Sequence, residues 1–159
     1  MADVFISYHE QSAGDIAFRI ADALESAGIS CWLAKRNMPL TVPFTEEIVR
    51  EIENCKVFLL ILNKQSLSSA HIASEIALAF ERFTHDKSVT LIPFRVDDCR
   101  LSNRMFYYLN FFRIFDACPP NEERIQELTA EIAGILNLNR KKGRAAKAAS
   151  KVSLETGTQ

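Results

Sequence analysis

Five short apolar runs punctuate the chain: Val4-Phe5-Ile6, Ile29-Ser30-Cys31-Trp32-Leu33, Val57-Phe58-Leu59-Leu60-Ile61-Leu62, Val89-Thr90-Leu91-Ile92-Pro93-Phe94 and Phe111-Phe112-Arg113-Ile114-Phe115. Between them, apolar positions recur at helical spacing. Ile16, Ile20, Leu24 and Ala27 mark one helix, closed by Gly28, where a left-handed residue is wanted. Thr45 reads as an N-cap ahead of Glu46 and Glu47, whose charges suit a first turn, with Ile48 and Ile52 facing inward. Ser68 and Ser69 open a third helix whose inner stripe is Ile72, Ile76, Ala79 or Phe80, and Phe83. Pro119 and Pro120 begin a further one, with Ile125, Leu128, Ile132, Ile135 and Leu136 inward. The stretch from Asp97 to Leu109 is weakly periodic and reads as a loop with a short helix.

Strands alternating with helices predict an α/β fold: a flavodoxin-like, doubly wound, five-stranded parallel sheet in the order 2-1-3-4-5 with helices on both faces. The run Val57 to Leu62 has no polar residue, as a strand covered on both faces should, and belongs at the sheet centre. Ligands of such sheets sit beyond the C-terminal ends of the strands, at the switch point between the first and third. That rule selects Ser7 to Glu10, Ala34 to Phe44, Asn63 to Ser69 and Asp97-Asp98 as the places where chemistry should gather.

Composition removes several alternatives. A length of 159 residues accommodates one domain with one substantial core. Its glycines, Gly14, Gly28, Gly134, Gly143 and Gly157, form neither G-x-G-x-x-G nor G-x-x-x-x-G-K, which excludes a Rossmann dinucleotide loop and a Walker phosphate loop. Cys31, Cys55, Cys99 and Cys118 include no C-x-x-C pair, and His9, His71 and His85 show no metal-ligand spacing, so free thiols, no disulfide framework and no metal are expected. No apolar run approaches the roughly 20 residues that span a bilayer, and Met1-Ala2-Asp3 leads straight into a strand. A cytoplasmic location without membrane attachment is the expectation.

The net charge of −1 conceals an asymmetry. Residues 1–137 carry 13 basic against 19 acidic side chains, whereas residues 138–159 carry Arg140, Lys141, Lys142, Arg144, Lys147 and Lys151 against Glu155 alone. With no large apolar residue from Arg140 to Lys151, the second stretch is expected to be a disordered tail or linker after a domain ending near 137. A solvated role is expected for it, and no nucleic-acid partner for the domain itself.

The strand ends discriminate between families of this fold. A phospho-receiver needs an acidic pair after the first strand and an aspartate after the third to hold magnesium. This chain has Ser7-Tyr8-His9-Glu10 and Asn63 there, and the receiver reading fails. The same positions match another pattern. Asp3-Val4-Phe5-Ile6-Ser7-Tyr8, the run Gly28-Ile29-Ser30-Cys31-Trp32 leading into Ala34-Lys35-Arg36-Asn37-Met38-Pro39, and Val57 to Leu62 followed by Ser66-Leu67-Ser68-Ser69 together resemble a TIR (Toll/interleukin-1 receptor) domain of the bacterial type. The resemblance covers about residues 3 to 137.

The resemblance implies one of two activities. Many bacterial and plant TIR domains cleave NAD+ at the nicotinamide N-glycosidic bond, using a glutamate on the helix after the third strand, which is Glu75 here. NAD+ would be the substrate, with no cofactor; the product could be linear or cyclic ADP-ribose. His71 stands where many enzymatic relatives carry tryptophan. The alternative is a non-catalytic adaptor, or a mimic of host TIR domains, working by TIR–TIR contact. The segment Ala34 to Phe44 resembles the loop through which these domains assemble, with Met38, Pro39 and Phe44 as its apolar contacts and Thr41 where many relatives have glycine. Its apolar character is unusual for a loop and independently favours an interface. Self-association would activate the domain, and a sensor domain or partner protein would supply the trigger, as in antiphage defence or cell-death signalling. A deoxyribosyltransferase-like enzyme with a glutamate nucleophile is a third class.

The residues themselves support a site at Glu75. Ser68, His71 and Glu75 are spaced i, i+3, i+7 and share one polar face of the third helix. Nicotinamide leaves as a neutral base, so the main demand is an anion to stabilise the oxocarbenium-like ribose. Phe5, Tyr8, Trp32 and Leu33 could flank the nicotinamide or adenine, or be core residues. His9 could bind phosphate or sit in water; Arg36 could hold a phosphate or pair with Glu46 or Glu47. Ser66 and Ser69 could contact ribose or cap helices.

Overall fold

The computed structural model describes residues 1–37 and 44–156, the side chains of 35, 36, 44, 138 and 152–156 excepted. Strands β1 (Val4–Ser7), β2 (Cys31–Trp32), β3 (Val57–Leu62), β4 (Thr90–Arg95) and β5 (Phe115–Asp116) form one sheet in the order β2-β1-β3-β4-β5. Every pairing is parallel, with Ser7 opposite Leu60 and Leu62 opposite Arg95. This is the expected doubly wound fold. Around the sheet lie α1 (Glu10–Ser26), α2 (Ala34–Asn37), α3 (Phe44–Asn54), α4 (Lys64–Leu67), α5 (Ala70–Asp86), α6 (Asn103–Leu109) and α7 (Glu122–Thr156). Among the described residues, no helix is long and apolar enough to cross a membrane.

Alternation along the strands divides the core in two. Val4, Ile6, Val57, Leu59 and Ile61 pack with α1 and α7, while Phe5, Phe58, Leu60 and Leu62 pack with α3, α5 and α6. Ser7, two residues beyond Phe5, therefore points to the α5 side. Phe5 stacks between Trp32 and Phe58 at centroid distances of 5.1 and 5.4 Å. That aromatic row anchors the second layer.

Several element ends differ from the sequence expectation. Of the fifth apolar run only Phe115 enters a strand, β5; Phe111 is exposed and Phe112 packs edge-on against Phe83 at 4.8 Å, so these rings join a flank of α5 and α6 instead of the sheet. Helix α3 begins at Phe44, which places Thr45 inside the helix and not at its cap. Ser68 lies outside α5, closing α4, and Ser69 caps α5 by accepting from the Ile72 amide at 3.3 Å. The start of α7 is set by Asn121, whose Oδ1 accepts from the Arg124 amide at 2.9 Å, and not by Pro119-Pro120. Gly28 has φ +80°, as its place after α1 requires.

Helix α7 also runs through the segment expected to be a disordered tail, continuing to Thr156. Its inner face, Ile125, Leu128, Thr129, Ile132 and Leu136, is buried, but every side chain from Arg140 to Lys151 is exposed. Packing therefore does not hold this second half. Its alanines, lysines and arginines are strong helix formers, and local propensity extends a helix that the core has already nucleated.

The edge of the sheet at β1 and β3 is tied by a polar network. Asn63, just after β3, caps α4 reciprocally with Ser66: its Oδ1 accepts from the Ser66 amide at 2.9 Å, while Ser66 Oγ accepts from the Asn63 amide at 2.9 Å. Asn63 Nδ2 donates to Ser12 Oγ in α1 at 3.0 Å, and Ser12 Oγ lies 2.7 Å from His9 Nδ1. One buried amide thus joins the ends of two strands. Asn63→Ala should lower stability by about 2 kcal/mol in urea unfolding, because it removes a cap and strands buried partners. Ser68→Ala, at an exposed position, should change it by less than about 0.5 kcal/mol.

Candidate functional site

A cleft of about 420 Å³ opens at the C-terminal end of β1. This is the switch point, since the chain runs to β2 on one side of β1 and to β3 on the other. The strand end contributes Phe5, Ile6 and Tyr8; the start of α1 contributes His9, Glu10 and Gln11; Ala34 opens α2; and the first turns of α5 contribute Ser69, His71, Ile72 and Glu75. Helix α5 brings its residues in because Ile72, Ala73, Ile76 and Ala79 bury one face against the sheet. The adjoining face then overhangs the strand end. His71, exposed, stands at the rim, and Glu75 lies one turn deeper.

Burial is the dominant influence on Glu75, pushing its carboxyl up from the ordinary 4.5 to about 7; the Ser7 hydroxyl opposes this by favouring the charged form. A carboxylate that gains and loses its proton near neutrality, in a cleft at a switch point, is the usual mark of a functional site. His9 holds the opposite side. As the N-cap of α1 its Nδ1 receives the Ser12 amide at 3.3 Å, which leaves Nε2 as the ring's donor.

Residues 4–129 match the family described as "TIR domain". The chain belongs to the TIR domain family. Solved TIR structures share the fold. The TIR domain of the Toll-related receptor TRR-2 from Hydra magnipapillata is 20% identical, with a TM-score of 0.58 over 89% of this chain and 98% of that one. A TIR-STING receptor from C. gigas in complex with 2',3'-cGAMP is 21% identical, with a TM-score of 0.65 over 81% of this chain and 39% of that one. The RPS4 and RRS1 TIR domain heterodimer is 15% identical, with a TM-score of 0.59 over 83% of this chain and 96% of that one. Among curated proteins, none matches.

Of the site residues expected from sequence, the TIR cleft brings together Phe5, Tyr8, His9, Ser69, His71 and Glu75. Trp32 and Leu33 do not line it: both are buried, Trp32 in the layer of α3 and α5 and Leu33 in the layer of α1 and α7. Ser66 is also fully buried, its hydroxyl consumed by the α4 cap, and it offers nothing to a ribose. Met38 and Pro39, and the side chains of Arg36 and Phe44, lie outside the described residues. Glu47 pairs with Arg50 on its own helix.

Sequence reasoning selected the stretch Ser7 to Glu10 but gave Ser7 and Glu10 no role of their own, and it missed Gln11 and Ile72 as cleft residues. Alternation could have found Ser7, a polar residue at the end of an otherwise apolar strand on the α5 side. Glu10 and Gln11 follow once α1 is seen to start at the switch point.

The carboxyl's raised pKa has a stability consequence with a definite sign. Between about 4.5 and 7 the folded chain holds a proton on Glu75 that the unfolded chain has lost, so stability falls as pH rises through that window. Glu75→Gln should accordingly raise stability at pH 8 by about 2 kcal/mol, discounted from full linkage because the side chain keeps some contact with water. The gain should disappear near pH 4, as thermal melts across pH would show.

Proposed function

We propose that this TIR domain, of the bacterial type, hydrolyses or cyclises NAD+ by breaking the bond between nicotinamide and ribose, with Glu75 as the catalytic carboxylate. The observation that carries this reading is the placement of one half-buried carboxyl at the switch-point cleft, with His71 one turn before it on α5 and Ser69 at that helix's cap. The cleft's size lies within the ordinary range for small-molecule sites. The fold's two glycine-loop alternatives for holding a dinucleotide are missing from the sequence, so side chains would do the binding.

The reaction makes modest demands. As the C1′–N bond breaks, its electron pair neutralises the cationic pyridinium nitrogen, and nicotinamide departs without a proton donor. Positive charge develops on the ribose, and ionised Glu75 stabilises it from within a site of low dielectric. Water then adds to C1′ and releases a proton, or a nucleophile of the same molecule closes a ring. Tyr8 and Phe5, which line the cleft, would flank an aromatic ring, and His9 and His71 would meet polar groups.

Assembly is part of the proposal. Ala34 lines the cleft and begins the apolar segment that runs to Phe44, through which a second copy would dock beside the site. The RPS4 and RRS1 TIR domains form a heterodimer, which supports association between domains of this family. A sensor domain or partner would then trigger activity in a cytoplasmic defence or cell-death response.

Nicotinamide release from NAD+ by the clustered full chain is the direct test. Release should rise with pH through about 7 as Glu75 ionises, and Glu75→Gln should lower it at least about 100-fold. Equal release by the variant would refute the assignment of Glu75. No release even when clustered would favour the adaptor reading.

A further inference from the structure

We propose that Ser7 is a positioning residue for Glu75: its hydroxyl, fixed at the buried end of β1, donates to the Glu75 carboxylate and orients it toward the cleft. The inference rests on Glu75 being the working carboxylate and adds the group that sets when it works.

Ser7 is 1% exposed, and its Oγ has no hydrogen-bond partner of ordinary geometry. Buried hydroxyls are nearly always paired, so an unpaired one needs a reason. The sheet supplies none. On the same face of β1 and β3 its neighbours are Phe5, Phe58, Leu60 and Leu62, all apolar. A strand that sought only stability would carry alanine or valine here. The polar group within its electrostatic reach comes from above the sheet, on α5, and is the carboxyl of Glu75.

The arrangement is asymmetric between the two protonation states. A hydroxyl can donate to an ionised carboxylate from a fixed strand end, and that bond is stronger than one between neutral groups. Desolvation opposes the charged form and Ser7 favours it, with no other group contributing a resolved effect. Tyr8, His9 and Glu10 share the cleft, and His71 shares the helix, without shifting it. Nor do Glu47 and Glu51 of α3, Lys64 of α4, Arg95 of β4 or Arg104, Tyr107 and Tyr108 of α6, the elements packed on α5. Ser7 therefore sets the balance, and its loss should move the pH at which the site becomes competent.

The test is a carbon-13 carboxyl titration of the full chain, with the Glu75 signal assigned by its loss in Glu75→Gln. Ser7→Ala should raise the Glu75 midpoint by about half a pH unit or more, and Ser7→Thr, which keeps the hydroxyl, should restore it. An unchanged midpoint in Ser7→Ala, or an equal shift in Ser7→Thr, overturns the proposal. Nicotinamide release gives a second readout. In Ser7→Ala its pH profile should move to the alkaline side, with about threefold less release near neutrality and recovery at high pH. A uniform loss at every pH would mean a merely structural role and would also overturn it. If the midpoint moves in Ser7→Ala but wild type shows no release, the Ser7–Glu75 pairing stands and the NAD+ reading fails.

Discussion

Six consecutive side chains of β3, Val57 to Leu62, are buried, three on each face of the sheet. Such a strand cannot sit at an edge or beside water. It forces a layer of helices on either side, and the connections must cross from one layer to the other. Once β3 is central, β1 and β4 flank it in parallel, and β2 is left to extend the sheet beyond β1. The reversal of direction at β1 opens a crevice that no side chain of the sheet can fill. The site's position is a by-product of burying β3.

What occupies that crevice is decided by the helices entering and leaving it. Helix α5 is pinned by Ile72, Ala73, Ile76 and Ala79, which fixes its rotation and swings Glu75 over the end of β1. The start of α1 is pinned differently, by His9, Ser12 and Asn63, so that its first turn forms the opposite wall. Hydrophobic packing sets one wall and hydrogen bonding the other. The carboxyl between them suffers the desolvation that raises its pKa, and the fold tolerates this because a small domain can carry one strained group if its cores are otherwise well filled.

Much of this was legible in the sequence. The continuous run at β3, the helical stripe of α5 and the glycine after α1 each mark their element through a single local rule, and the sheet order follows from their alternation. Glu75 was legible through the family pattern and its spacing from His71. Other positions were ambiguous for a physical reason. Serines cap helices and bind ligands with the same hydroxyl, so Ser66 and Ser69 looked alike, yet one is locked in the Asn63 cap and the other borders the cleft. Aromatic residues near strand ends look equally like core and like stacking platforms, and Trp32 proved to be core. The fifth apolar run resembled a strand, but only Phe115 joins the sheet, while Phe112 packs on the flank of α5 and Phe111 stays exposed.

The sequence by itself determined which residues prefer strand or helix, which strand must be central, and which nucleotide-binding loops cannot exist, since all of these depend on periodicity, composition and local backbone preference. It did not determine which polar side chains lose their water. That depends on the packing of elements far apart in the chain: Ser7 and Glu75 are separated by 68 positions, and only the packing of α5 over the sheet buries the one and partly desolvates the other. Burial and partnership are collective properties of the packed layers. The tertiary structure alone therefore turned an ordinary glutamate into one that titrates near neutrality.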